Sequence, residues 1–202
     1  MSADPVHAEL FPVFLKLSGR PVVVVGGGDV AVEKVSVLRP TGAHITVIAP
    51  EIAPALIDSD VTVIQRRVRV SDLAEAWFVV SAATPEVNKW AAQVASARHV
   101  FVNAVDDPRN ATAYLGGVVR RDGVTVAVST AGRSPALAAL LRRAIDALLP
   151  DDLARWFEAS DHLRQEWRSH AVPWGDRRPQ LARAIASLYA EDATDSSTGA
   201  RR

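Results

Sequence analysis

A chain of 202 residues with 23 basic and 23 acidic side chains has no net charge to offer a polyanion, so composition gives no case for nucleic-acid binding. It contains no cysteine, which excludes disulfides, thiolate nucleophiles and zinc–thiolate sites. Its 49% hydrophobic and 23% charged residues are ordinary for a water-soluble globular fold.

Met1 to Pro12 shows no basic segment followed by an apolar run, so no signal peptide is expected and the cytoplasm is the expected compartment. The longest apolar candidate, Pro135 to Leu149, is interrupted by Arg142, Arg143 and Asp146, which argues against a membrane span. Pro21-Val-Val-Val-Val25 predicts a strand buried on both faces. After three glycines, Asp29 to Leu38 carries apolar residues at helical spacing and stops at Thr41-Gly42. His44 to Ile48, Val61 to Gln65, Trp77 to Ser81 and Val100 to Asn103 predict four more strands, with a helix over Pro85 to Ala97. Strands alternating with helices predict an α/β fold, a Rossmann-like doubly wound parallel sheet.

The pattern changes after about Ala113. Leu115 to Arg121 and Val124 to Ser129 flank Asp122-Gly123, a hairpin signal, and a helix follows from Ser134-Pro135 to about Leu149. From Asp151 the sequence is helical and amphipathic, split at Pro173-Trp174-Gly175, and the polar stretch from Asp192 predicts disorder. The expected division is a dinucleotide-binding domain over 1–113, a dimerisation segment over 114–149, a small helical domain over 150–192 and a disordered tail over 193–202, which reads as an end or a linker.

Gly26-Gly27-Gly28-Asp29-Val30-Ala31 fits G-x-G-x-x-A between a buried strand and a helix. Gly26 allows the tight turn, Gly28 lets backbone approach a pyrophosphate, and Ala31 lets helix and sheet pack closely. The helix amino terminus then faces the phosphates. Gly26, Gly28, Asp29 and Val30 are therefore expected cofactor contacts, with Pro50 and Glu51 at the end of the second strand. Glu51 either reaches the adenosine ribose or caps the next turn. No arginine lies at that strand end for a 2′-phosphate, which favours NAD over NADP. Thr84 or Asn88 either bonds the ribose or caps the following helix.

Ser134 is an expected N-cap whose neighbouring N–H groups suit a carboxylate, and Arg133 suits bidentate pairing with one. Arg109, Arg120 and Arg121 are weaker candidates for the same task. Asp106 lies just past the fifth strand, where a loop meets the crevice at the strand ends; alternatively Asp106 or Asp107 starts a turn before Pro108, and spacing allows both. The five histidines, His7, His44, His99, His162 and His170, lack ligand spacing, so no metal site is expected. Trp77, Trp90, Trp156, Trp167 and Trp174 read as packing residues, the last three alternatively as a wall for a flat ligand.

Several segments together resemble the siroheme synthase N-terminal family, comprising precorrin-2 dehydrogenase and, in some members, sirohydrochlorin ferrochelatase. They are Leu10-Phe11-Pro12-Val-Phe-Leu15, the glycine turn with Glu33-Lys34, Ile48-Ala-Pro-Glu51, Ala82-Ala-Thr84 with Asn88, Val102-Asn-Ala-Val-Asp-Asp-Pro108 and Val128-Ser-Thr-Ala-Gly-Arg-Ser-Pro135. The resemblance runs from about residue 8 to 150, in order. It implies NAD-dependent oxidation of precorrin-2 to sirohydrochlorin, Asp106 as the catalytic aspartate, and tetrapyrrole contacts from Asn103, Thr130, Arg133 and Ser134. It also implies a homodimer. Whether this chain inserts Fe²⁺, or is fused to a methyltransferase, is left open. Thr130 stands where some members carry a phosphorylatable serine. The competing reading is a non-enzymatic NAD-binding regulatory dimer, which would have no need of an acid at 106.

Overall fold

The computed structural model describes residues 9–57 and 59–199, with side chains described as far as Ala190. Strands β1 (Pro21–Val25), β2 (His44–Ala49), β3 (Thr62–Gln65), β4 (Phe78–Ser81) and β5 (Phe101–Ala104) form one parallel sheet in the order β3-β2-β1-β4-β5. Helices α1 (Asp29–Leu38) and α3 (Pro85–Ser96) cover its two faces. The valine run explains why. Val22 and Val24 pack with Ala31, Val35 and Leu38 of α1. Val23 and Val25 pack on the other face with Ala91, Ala92 and Ala95 of α3. Alternate side chains of a strand point to opposite faces, so a strand apolar at every position suits only a two-sided core.

The sheet order reverses at β1: the chain runs from β1 to β2 and β3 on one side, and the crossover from β3 returns to β4 on the other. A crevice at the carboxyl ends of the strands is the usual result. The crossovers between β2 and β3 and between β3 and β4 are thin. They contain only α2 (Pro54–Ile57) and a 3₁₀ turn at Val70–Leu73. Sequence reading found neither, since each is too short for a helical period. Edge strand β5 is sealed by the following chain. The amides of Thr112 and Ala113 donate to Val102 O, and the Thr112 hydroxyl accepts from Val102 N at 2.8 Å.

The chain forms two compact units. The first holds the sheet through Gly116 together with Ser129–Ala136, and the second holds 117–128 and everything from Leu137. The second contains the hairpin β6 (Gly117–Arg121) and β7 (Val124–Val128), most of α4 (Pro135–Leu148), and α5 (Leu153–Ser169) and α6 (Trp174–Gly199). The hairpin, most of α4, α5 and α6 thus fall in one unit. Asp122 and Gly123 take φ of 45° and 84°, the paired left-handed values of a tight hairpin turn. Helix α6 continues past Asp192, the expected start of disorder, to Gly199; 200–202 lie outside the described residues. No proline or glycine interrupts 180–198, so the backbone meets no breaker before Gly199.

Candidate functional site: the crevice at the strand ends

The three glycines meet different surroundings. At Gly26 (φ 120°) a Cβ would lie 2.1 Å from Ala82 O, so the turn and the approach of β4 both require glycine. At Gly27 a Cβ would lie 2.1 Å from Glu51 O and 2.9 Å from Ile52 Cδ1. The Ala53 amide also donates to Gly27 O at 2.7 Å. Sequence reading left Gly27 as the free position of the motif, yet it has a contact as close as that of Gly26. The run of three glycines was the available signal. Gly28 is the N-cap of α1, is exposed, and has no atom within 4 Å of an added Cβ.

No side chain caps α1. Its first-turn N–H groups, which no helix satisfies internally, open at Gly28, Asp29 and Val30 onto that space. A pyrophosphate fits such a cradle, since it needs close backbone approach and amide donors.

Pro50 and Glu51 follow β2 and are exposed. The register pairs Ala49 with Gln65, and Gln65 Nε2 donates to Pro50 O at 3.2 Å. Arg66 and Arg67 therefore begin just past the end of the adjacent strand, a neighbourhood invisible to a reading of β2 alone. Arg66 is engaged bidentately by Asp72 at 2.7 and 2.8 Å. Arg67 is exposed.

Thr84 is the N-cap of α3 but makes no capping bond with its side chain. Its hydroxyl instead meets Glu86, whose carboxyl is held below its usual range by its own backbone N–H and then by Thr84. Asn88 is 4% exposed and bonded to Ser81, Ala83 and Val105. The alternatives for Asn88, ribose contact or helix cap, both give way to a buried latch.

Asp106 lies two residues beyond the end of β5, exposed, at φ 56°. Asp tolerates that left-handed conformation better than most residues. Its carboxylate has no hydrogen bond or ion pair within the described residues. Asp107 differs: its Oδ2 accepts from Asn110 Nδ2 at 2.6 Å, and its carbonyl accepts from Asn110 N. Asp106 itself lies in the turn before Pro108, closed by the Asp107 amide donating to Ala104 O at 3.3 Å, and Asp107 starts the next turn, over 108–110. Asn103 is 8% exposed and donates to Ala113 O at 3.0 Å, so that donor helps hold the sealing segment.

Thr130 to Arg133 form a tight turn, with Ala131 and Gly132 at φ 51° and 75° and the Arg133 amide donating to Thr130 O. Thr130 Oγ1 accepts from Ser134 N and donates to Ser134 O. A Cβ on Gly132 would meet Tyr114 at 3.1 Å and Pro108 at 3.4 Å, so this turn packs on the loop that follows Asp106. Thr130, Arg133 and Ser134 are thereby brought to the loop cluster of Asp106. Arg133 is exposed.

The weaker arginine candidates separate. Arg121 is structural: it bonds Leu149 O, Pro150 O, Asp146 and Asp151. Arg109 and Arg120 are exposed. Of the tryptophans read as a wall, Trp167 is buried and donates to Gln180, Trp156 donates to Tyr189, and Trp174 is exposed beneath Arg177. A concavity lined by Leu15, Leu17, Trp77 and Phe101 lies at the amino ends of β4 and β5, opposite this crevice. Among the described residues, no group of acids and histidines is placed to hold a metal, and no helix is long and apolar enough to cross a membrane.

Residues 13–117 match a family model described as putative NAD(P)-binding, and residues 121–148 match one described as sirohaem biosynthesis protein central. Siroheme synthase 3 of Aeromonas hydrophila is 34% identical over 175 residues, 84% of this chain and 37% of that protein. Siroheme synthase 2 of Aeromonas salmonicida is 36% identical over 182 residues, 89% of this chain and 38% of that protein. The chain thus spans less than two-fifths of the length of these curated relatives. A solved structure of SirC, precorrin-2 dehydrogenase, shares the fold with a TM-score of 0.65 at 22% identity, over 87% of this chain and 89% of that one. With an NAD(P)-binding domain followed by the sirohaem-biosynthesis central segment in one continuous order, the chain belongs to the siroheme synthase N-terminal family.

Proposed function

We propose that the chain is an NAD-dependent precorrin-2 dehydrogenase of siroheme biosynthesis, working as a cytoplasmic homodimer. The observation that carries this reading is the pairing of an uncapped helix terminus at Gly28 with an unengaged carboxylate at Asp106, both at the carboxyl ends of one parallel sheet. The solved relative titled precorrin-2 dehydrogenase supports the choice of substrate.

Oxidation of precorrin-2 to sirohydrochlorin removes a hydride and a proton from the macrocycle. A bound nicotinamide supplies the hydride acceptor. The amides at Gly28, Asp29 and Val30 hold the pyrophosphate. Glu51 bonds the adenosine ribose and disfavours a 2′-phosphate by like charge. Thr84, at the head of α3, lines the path of the cofactor across the strand ends. Asp106 takes the proton, and its exposure leaves the carboxylate accessible to a ring entering from solvent. The substrate carries several carboxylates; Arg133 and the amides near Ser134 bind them, with Thr130 and Asn103 shaping the same wall.

The test is anaerobic incubation with precorrin-2 and NAD⁺, following macrocycle absorption and NADH. Turnover is expected to require NAD⁺, and Asp106→Asn to lower it by roughly 10²–10⁴-fold with NAD⁺ binding retained. Macrocycle oxidation independent of NAD⁺ would sink the assignment. Full turnover in Asp106→Asn would remove Asp106 as the proton acceptor, whereas NAD⁺ binding without any turnover in the parent chain would favour the non-enzymatic regulatory dimer. Adding Fe²⁺ as a substrate in a second run decides whether the product is also metallated.

A further inference from the structure

One buried amide ties together the ends of the two strands that flank the reactive side of the crevice. Asn88, in the first turns of α3, is 4% exposed. Its Oδ1 accepts from Ser81 Oγ at 2.7 Å and from Ala83 N at 3.0 Å, both at the end of β4. Its Nδ2 donates to Val105 O at 3.2 Å, just beyond β5. The Val105 amide in turn donates to Ser81 O at 2.9 Å. Val105 is therefore held on both sides, by the backbone of β4 and by the side chain of Asn88.

The Val105 carbonyl and the Asp106 N–H belong to one planar peptide. Fixing the direction of that carbonyl fixes the plane from which Asp106 departs. Asp106 departs at φ 56°, a conformation that an L-residue keeps only where its surroundings impose it. Asp106 has no side-chain bond of its own among the described residues, so its backbone plane is what aims the carboxylate. The Asn88 amide is buried and engaged by Ser81, Ala83 and Val105.

We propose that Asn88 is the positioning residue for Asp106: through Val105 O it sets the peptide that points the carboxylate into the crevice. The inference rests on the reading of Asp106 as proton acceptor. It is tested in the full chain with precorrin-2 and NAD⁺, using Asn88→Ala and Ser81→Ala singly and each combined with Asp106→Asn. Asn88→Ala is expected to lower kcat by about 10–100-fold while the NAD⁺ dissociation constant stays within about twofold. Ser81→Ala, which removes one tether of Asn88, is expected to give a smaller loss of the same kind. On the Asp106→Asn background neither change should lower the residual rate further, since a residue acting through Asp106 has nothing left to aim.

Unchanged kcat in both single variants overturns the proposal, as does a loss carried by NAD⁺ affinity. Losses that multiply with that of Asp106→Asn, when that variant is itself crippled, overturn it while leaving Asp106 as the base. A fully active Asp106→Asn overturns both. If Asn88→Ala does not fold, Ser81→Ala, a smaller change in the same network, decides by the same criteria.

Discussion

Gly27 and Gly28 are adjacent and chemically identical, yet their surroundings demand different outcomes on substitution. A Cβ at Gly27 would collide with the Glu51 carbonyl, which is backbone and has little freedom to move. Gly27→Ala should therefore destabilise the fold by about 1–3 kcal/mol, measured by urea denaturation, whether or not cofactor is present. At Gly28 the same methyl meets no protein atom and φ is −86°, which any residue adopts. Gly28→Ala should leave the melting temperature unchanged and weaken NAD⁺ binding by about tenfold or more, because the methyl occupies the space of the pyrophosphate. Unaltered affinity would remove the pyrophosphate from that position. Glu51 gives a further test: Glu51→Ser should raise affinity for NADP⁺ by about tenfold, since the repulsive carboxylate is gone and Arg67 lies past the neighbouring strand end. At this scale local pattern located the glycine turn, where Gly26 and Gly27 have no room for a Cβ. It misread Asn88, because a polar side chain at the head of a helix looks the same whether its partners are a ligand or the buried ends of two distant strands. It left Asp106 and Asp107 equivalent on spacing, because the bond from Asn110 that distinguishes them depends on a folded turn.

Elements with a long, strong period were legible, and those held by a few polar contacts were not. The sheet, α1 and α3 follow from apolar runs, and the hairpin follows from Asp122-Gly123. The crossover between β3 and β4 has no such period and is organised by Asp72. Its carboxylate binds Arg66 and accepts from the Arg69 amide at 2.7 Å. The hydrogen bond from Arg66 is the main reason its carboxyl is held below the ordinary aspartate range. A carboxyl depressed in the folded state stabilises the fold above its unfolded pKa, and the contribution is lost as pH falls through the folded value. Asp72→Asn should thus lower the melting temperature at pH 7, with the difference from the parent shrinking below about pH 4 as the parent is protonated. A difference independent of pH would show that shape, and not charge, is what Asp72 supplies. In the second unit Arg121 has the corresponding place, joining β6 to the carbonyls that end α4 and to Asp146 and Asp151. The sequence offered Arg121 as a surface cation for an anionic substrate, since nothing local shows that its partners lie some thirty residues onward.

For the molecule as a whole, the second unit has a sheet of only two strands, β6 and β7, which is marginal on its own. Among the described residues no third strand pairs with either, so both outer edges present backbone donors and acceptors. Helix α4 packs on the hairpin at Gly117, where an added Cβ would lie 3.2 Å from both Ala138 O and Arg142 Cβ, a tight contact. Away from that contact α4 exposes Leu140, Leu141 and Leu148, the last at 81%. Leu141 and Leu148 are two turns apart on one stripe, with Leu140 beside them. A second copy related by a two-fold axis would cover such a stripe and extend the sheet without requiring any other partner. The proposed homodimer therefore predicts sedimentation as a dimer at micromolar concentration. Leu141→Glu with Leu148→Glu should yield a monomer, because two carboxylates facing their own symmetry mates cannot be desolvated together. NAD⁺ binding by the first unit should survive, since every residue assigned to the nucleotide lies within it. A parent chain that sediments as a monomer, or a double variant that remains a dimer, would place the contact elsewhere and leave the leucine stripe without this role.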